Sequence, residues 1–71
     1  MQVHVFKTNV QYGEYADHVL AQIRQLDHLM RCNFDLDDCD KILRVETAAV
    51  QPADVIRMVR RAGFHCEELG D

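Results

Sequence analysis

The sequence predicts an α+β sandwich of element order βαββαβ, and three observations carry that expectation. Apolar residues switch from strand-like to helical spacing and back, twice along the chain. The only proline, Pro52, and a glycine at position 63 bracket the second helical stretch. An acidic turn cluster, Asp37-Asp38-Cys39-Asp40, divides two extended stretches in the middle.

Val3-His4-Val5-Phe6 is β-branched and aromatic and is expected to form the first strand. Lys7 through Gly13 is expected to be the strand end and a loop. From Glu14, the residues Ala16, Val19, Leu20, Ile23 and Leu26 recur at helical spacing, with Asp17, His18, Arg24 and Gln25 on other faces. Glu14 and Asp17 lie near the helix start, where the dipole favours negative charge. Cys32 to Leu36 alternates as a half-buried strand, and Ile42 to Glu46 forms its hairpin partner. Pro52 suits the first position of a second helix, whose apolar stripe is Val55, Ile56 and Val59 and whose solvent side carries Arg57, Arg60 and Arg61. Gly63 caps that helix, and Phe64-His65-Cys66-Glu67 begins a short last strand.

Two helical crossovers around a hairpin give the ferredoxin-like sandwich: a four-stranded antiparallel sheet of order 4-1-3-2 with two helices on one face. That topology brings the loop after strand 1, the hairpin turn and the loop before strand 4 to one end. Tyr12, Tyr15, the turn from Asp37 to Asp40, and Phe64 are therefore expected together. Cys32 and Cys66 fall on opposite edge strands, in phase with the core, and are expected to be inert buried thiols.

The 71 residues allow a single domain spanning 1–71, too small to enclose a bulky substrate. A net charge of −4 argues against a nucleic-acid groove or an anionic membrane surface. No stretch has the apolar length of a membrane span. Met1-Gln2-Val3-His4 lacks the basic start and apolar run of a signal peptide, so a cytoplasmic protein is expected. The three cysteines, Cys32, Cys39 and Cys66, have no CxxC spacing and are expected to be free.

Several short segments, in order, resemble the heavy-metal-associated domains, the family of copper chaperones and of the N-terminal modules of metal-pumping ATPases. Leu26-Asp27-His28-Leu29 resembles that family's Leu-x-Gly-Val after helix 1. Phe34-Asp35-Leu36 resembles its Val-Asp-Leu strand, and Ala62-Gly63-Phe64 its Ala-Gly-Tyr before strand 4. Phe6-Lys7-Thr8-Asn9-Val10 resembles a branch beginning Phe-Lys-Thr-Asn-Ile. The family's Gly-Met-x-Cys-x-x-Cys loop then matches Asn9-Val10-Gln11-Tyr12-Gly13-Glu14-Tyr15, which places tyrosines at both cysteine positions.

The resemblance implies a metal-carrier fold without its thiolates. Cu(I) prefers soft sulfur ligands, whereas a phenol is a hard oxygen donor only when deprotonated, near about pH 10. No metal or other cofactor is expected at this loop. Asn9, Val10, Tyr12, Tyr15 and Phe64 form a candidate interaction surface, since exposed tyrosines favour protein interfaces. A second reading of the tyrosines is local: they cap helix 1 and pack over its first turn.

The acidic turn lacks the glycine and late glutamate of a calcium loop. Cys39 has acidic neighbours rather than the cations that activate a thiol. His4, His18, His28 and His65 are scattered, without metal spacing. An RNA-binding sheet would show aromatics on outward strand 3 positions, and Ile42 to Glu46 has none. An acylphosphatase-like enzyme would need a Gly-rich nest, for which Lys7-Thr8-Asn9 and Gly13 are poor substitutes. A small amino-acid-binding regulatory domain shares the element order. The reading is a non-enzymatic protein-interaction module, monomeric or weakly dimeric, docking an acidic or family-related protein. The alternative is metal carriage, of copper or zinc, through a non-standard site.

Overall fold

The computed structural model describes residues 2–70, so Met1 and Asp71 of the expected span lie outside the described residues. The elements are β1 (Gln2–Thr8), α1 (Gly13–Ile23), β2 (Leu29–Asp35), β3 (Ile42–Thr47), α2 (Pro52–Arg61) and β4 (Cys66–Glu68). The four strands form one antiparallel sheet in the order β2-β3-β1-β4, which is the expected topology.

Strand pairing sorts the side chains onto two faces. Phe6 lies opposite Leu43 and His4 opposite Val45, while Cys32 and Phe34 meet Val45 and Leu43 from the other side. Phe6, Cys32, Leu43 and Val45, with Phe34 packed against them, join Ala16, Val19, Leu20 and Ile23 of α1 and Val55 and Val59 of α2 in one core, so both helices cover the same face. The opposite face stays open and carries Val3, Val5, Arg31, Asn33, Asp35, Arg44 and Glu46. None of its residues on β1 or β3 is aromatic.

Several boundaries differ from the sequence expectation. Helix α1 stops at Ile23, and Leu26 packs against the core from the turn that follows. Strand β2 begins at Leu29, because a register shift between Leu29 and Arg31 interrupts the alternation that marks a strand. Strand β4 begins at Cys66, because Phe64 belongs to the end of α2. There Gly63 takes φ +98, its N–H donates to the Arg60 carbonyl at 3.0 Å, and the Phe64 N–H donates to the Val59 carbonyl at 3.2 Å. This pair of bonds is a Schellman closure, which needs a left-handed residue at that position.

Two buried threonines brace the loops. Thr8 donates from its hydroxyl to the Lys41 carbonyl (2.6 Å) and accepts from the Val10 N–H (3.2 Å). Thr47 donates to the His28 carbonyl (3.0 Å) and accepts from the N–H groups of Ala49 (3.2 Å) and Val50 (2.9 Å). Each hydroxyl thus satisfies backbone groups that would otherwise be costly to bury.

Candidate functional site

The β1–α1 loop, the β2–β3 turn and the α2–β4 loop meet at one end. The Thr8 N–H donates to the Asp40 carbonyl at 3.0 Å, joining the first two. The Asn9 side-chain oxygen accepts from the His65 N–H at 2.7 Å, joining the first and third.

Helix α1 starts there without a side-chain cap. Tyr12 is the N-cap residue in extended conformation, and its carbonyl accepts from the N–H groups of Tyr15 (3.1 Å) and Ala16 (3.0 Å). Its phenol makes no capping bond, so the tyrosine acts here through packing. The Tyr12 and Tyr15 rings meet edge to face with centroids 5.6 Å apart, and Tyr15 leans on Phe64 at 5.7 Å. Tyr12 is 59% exposed and Tyr15 45%, while Phe64 is half-buried against the core. The result is a short aromatic ledge open to solvent.

The five residues expected to form the surface divide into three roles. Tyr12, Tyr15 and Phe64 are brought together as the ledge. Asn9 ties the loop to its neighbour. Val10 is a correction: it has no exposed surface and sits in the core, anchoring the loop from beneath.

The ledge does not fit a soft metal ion. Its donors are two phenols, and no cysteine lies among Asn9 to Tyr15. Among the described residues, one group has metal-ligand atoms close together: Asp38, Cys39 and Asp40, within 4.8 Å of one another in the hairpin turn. Asp38 already accepts the Asp40 N–H at 2.8 Å, and Asp40 faces Lys7 Nζ at 3.8 Å. The other two thiols are elsewhere and buried. Burial pushes Cys66 up to about 11 and also raises Cys32, against the opposing pull of Arg60 and Arg24 respectively.

Arg57, Arg60 and Arg61 are exposed on α2, as expected. Arg57 pairs with Asp54 (3.4 Å), and Arg60 reaches the Cys66 carbonyl (3.4 Å). Arg60 and Arg61 occupy the last turn of the helix, just before Gly63 and Phe64.

The structural neighbours are copper-binding heavy-metal-associated domains, and the chain has their fold. The yeast copper transporter domain Ccc2a superposes with a TM-score of 0.88 at 18% identity, covering 100% of this chain and 99% of that one. The N-terminal domain of PacS from Synechocystis PCC6803 gives 0.84 at 17% identity, covering 99% and 100%. A copper-binding domain of the P-type ATPase HMA7 gives 0.85 at 16% identity, covering 99% and 96%. The Atx1–Cu(I)–Ccc2a complex supplies a further match at 0.84 and 18% identity, covering 100% and 99%. No protein-family profile matches the chain, and no curated protein matches its sequence. No helix among the described residues is long and apolar enough to cross a membrane.

Proposed function

We propose that this domain is a protein-docking module, not an enzyme, which uses the metal-loop end of a heavy-metal-associated fold as an aromatic contact surface. The observation that carries the reading is the Tyr12-Tyr15-Phe64 ledge, exposed at the loop that precedes α1. Aromatic side chains supply large contact area at low entropic cost, and edge-to-face pairing holds the two tyrosines in place before a partner arrives. Asn9 and Val10 support the loop from the side and from below. A protein partner is consistent with the neighbour seen in the Atx1–Cu(I)–Ccc2a complex. Arg60 and Arg61, beside the ledge in sequence, favour an acidic one. The three unpaired thiols favour the reducing cytoplasm as its location.

Site-specific photo-cross-linking in the source cells tests this. A photoreactive phenylalanine at position 12 or 15 is expected to give a discrete protein adduct, and the same group at Asp27 none. No adduct at either tyrosine, or equal adducts at Asp27, would count against the reading.

A second reading, metal carriage through a non-standard site, is favoured by one observation: the Asp38-Cys39-Asp40 donors in the turn. One thiolate with two carboxylates suits Zn(II) better than Cu(I). Retention of Zn(II) that a Cys39→Ser substitution abolishes would support it.

A further inference from the structure

Strand β2 forms one outer edge of the sheet and pairs only with β3 among the described residues. An uncovered edge offers a row of N–H and C=O groups to another strand. Its sequence, LMRCNFD, contains no proline, glycine or lysine to block such pairing. The register shift lies at its start, between Leu29 and Arg31, and leaves Arg31 to Asp35 in regular pairing.

That stretch is complementary to itself. Arg31, Asn33 and Asp35 are exposed on the open face, and Cys32 and Phe34 face the core. When two copies meet antiparallel with Asn33 opposite Asn33, Arg31 of each lies opposite Asp35 of the other. The Asn33 amides meet at the two-fold axis, and Phe34 lies across from Cys32 of the second copy. Other registers lose this match. Centred on Cys32, Asp35 faces Leu29 and Arg31 faces Asn33. Centred on Phe34, Arg31 falls opposite Asp37, beyond the end of the strand at Asp35. The other edge is self-repelling, since β4 carries Glu67 and Glu68 together. Arg31 and Asp35 each have one partner within the chain and keep further donor or acceptor atoms exposed. Arg31 is 75% exposed with a 3.7 Å contact to Glu46, and Asp35 uses one carboxylate oxygen to accept the Asp37 N–H.

We propose that β2 is a self-association edge, on which two copies pair antiparallel about Asn33 and join their sheets, with all helices on one side. Opposite charges directly across a strand pair favour the register and like charges oppose it. The contact is narrow, so association is weak and concentration-dependent. It uses no residue of the aromatic ledge and stands whether or not the ledge docks a partner.

Sedimentation analysis of the reduced protein over a concentration series tests the proposal. The unsubstituted chain is expected to dimerise reversibly. Arg31→Asp alone and Asp35→Arg alone each oppose two like-charged pairs, and each is expected to weaken the dimer at least about tenfold. Mixing the two variants restores both pairs, so native mass spectrometry is expected to show the mixed dimer. A chain monomeric at every concentration, variants that dimerise unchanged, or a mixture that stays monomeric would each overturn it. Should a charge variant fail to fold, Asn33→Cys in a Cys39→Ser background gives an independent reading. Facing positions at a strand two-fold are about 4.5–5.5 Å apart at Cβ, within reach of a disulfide after small adjustment. Oxidation is expected to cross-link that variant and not Lys7→Cys in the same background, and equal or absent cross-linking would contradict the proposal.

Discussion

Cys66 shows how position alone sets the chemistry of a residue here. It has no exposed surface, and burial pushes its thiol up to about 11 from the ordinary 9.0. Between those values the unfolded chain gives up the proton and the folded chain keeps it. This thiol's contribution to stability is therefore complete below about 9 and is lost as pH rises through about 11. Urea midpoints measured across that range are expected to fall, and to fall less steeply in Cys66→Ala. Thiol labelling of the native protein is expected to modify Cys39 first, since Cys32 and Cys66 are buried. At the ledge the decisive property is ligand type. Tyr12 and Tyr15 stand at the N-cap and in the first turn of α1, at the positions that the sequence resemblance aligns with a pair of cysteines. Replacing both with cysteine is expected to create a Cu(I) site on the existing backbone, measurable by competition with a chelator. A folded double variant that binds no Cu(I) would contradict the alignment of this loop.

The elements were legible in the sequence wherever packing imposes a period. Val19, Leu20 and Ile23 on α1, Val55 and Val59 on α2, and alternation from Cys32 to Leu36 identified the buried faces directly. What could not be read were features held by single atoms. Thr8 and Thr47 each brace a loop through one hydroxyl, and a lone threonine carries no pattern. The Asn9 bond to His65 joins residues 56 apart, so no local signal marks it. Val10 was misplaced for the same reason, because a loop residue has no periodicity to show that it points inward. His28 is more instructive. It takes φ 66, a left-handed conformation that side chains resist, at the position where the family segment resembled in sequence carries glycine. His28→Gly is expected to stabilise the chain by about 0.5–1 kcal/mol in urea unfolding, the relief of strain outweighing the added chain entropy. Gly63→Ala is expected to cost about 1–2 kcal/mol, because the Schellman closure needs φ +98. The same change should weaken the contact between Phe64 and Tyr15, seen as altered tyrosine ring signals in NMR spectra.

At the scale of the whole molecule, the fold sorts its chemistry by end and by face. One sheet face is buried under both helices and holds the core thiols. The loop end holds an aromatic ledge beside an acidic turn, and the last turn of α2 carries arginines. The topology was predictable because a right-handed crossover on each side of a hairpin leads to the strand order β2-β3-β1-β4. The function of the loop end was less legible, since two tyrosines mark the absence of a thiolate pair more clearly than they identify a partner. The central proposal is that this end, on a fold shared with copper-binding domains, holds no soft-metal site. Native mass spectrometry of the reduced protein, titrated with Cu(I) and Zn(II) against a competing chelator, tests it most directly. The account predicts no chelator-resistant metal in the unsubstituted chain. One retained equivalent that is lost on substituting Tyr12 and Tyr15 with phenylalanine would contradict it.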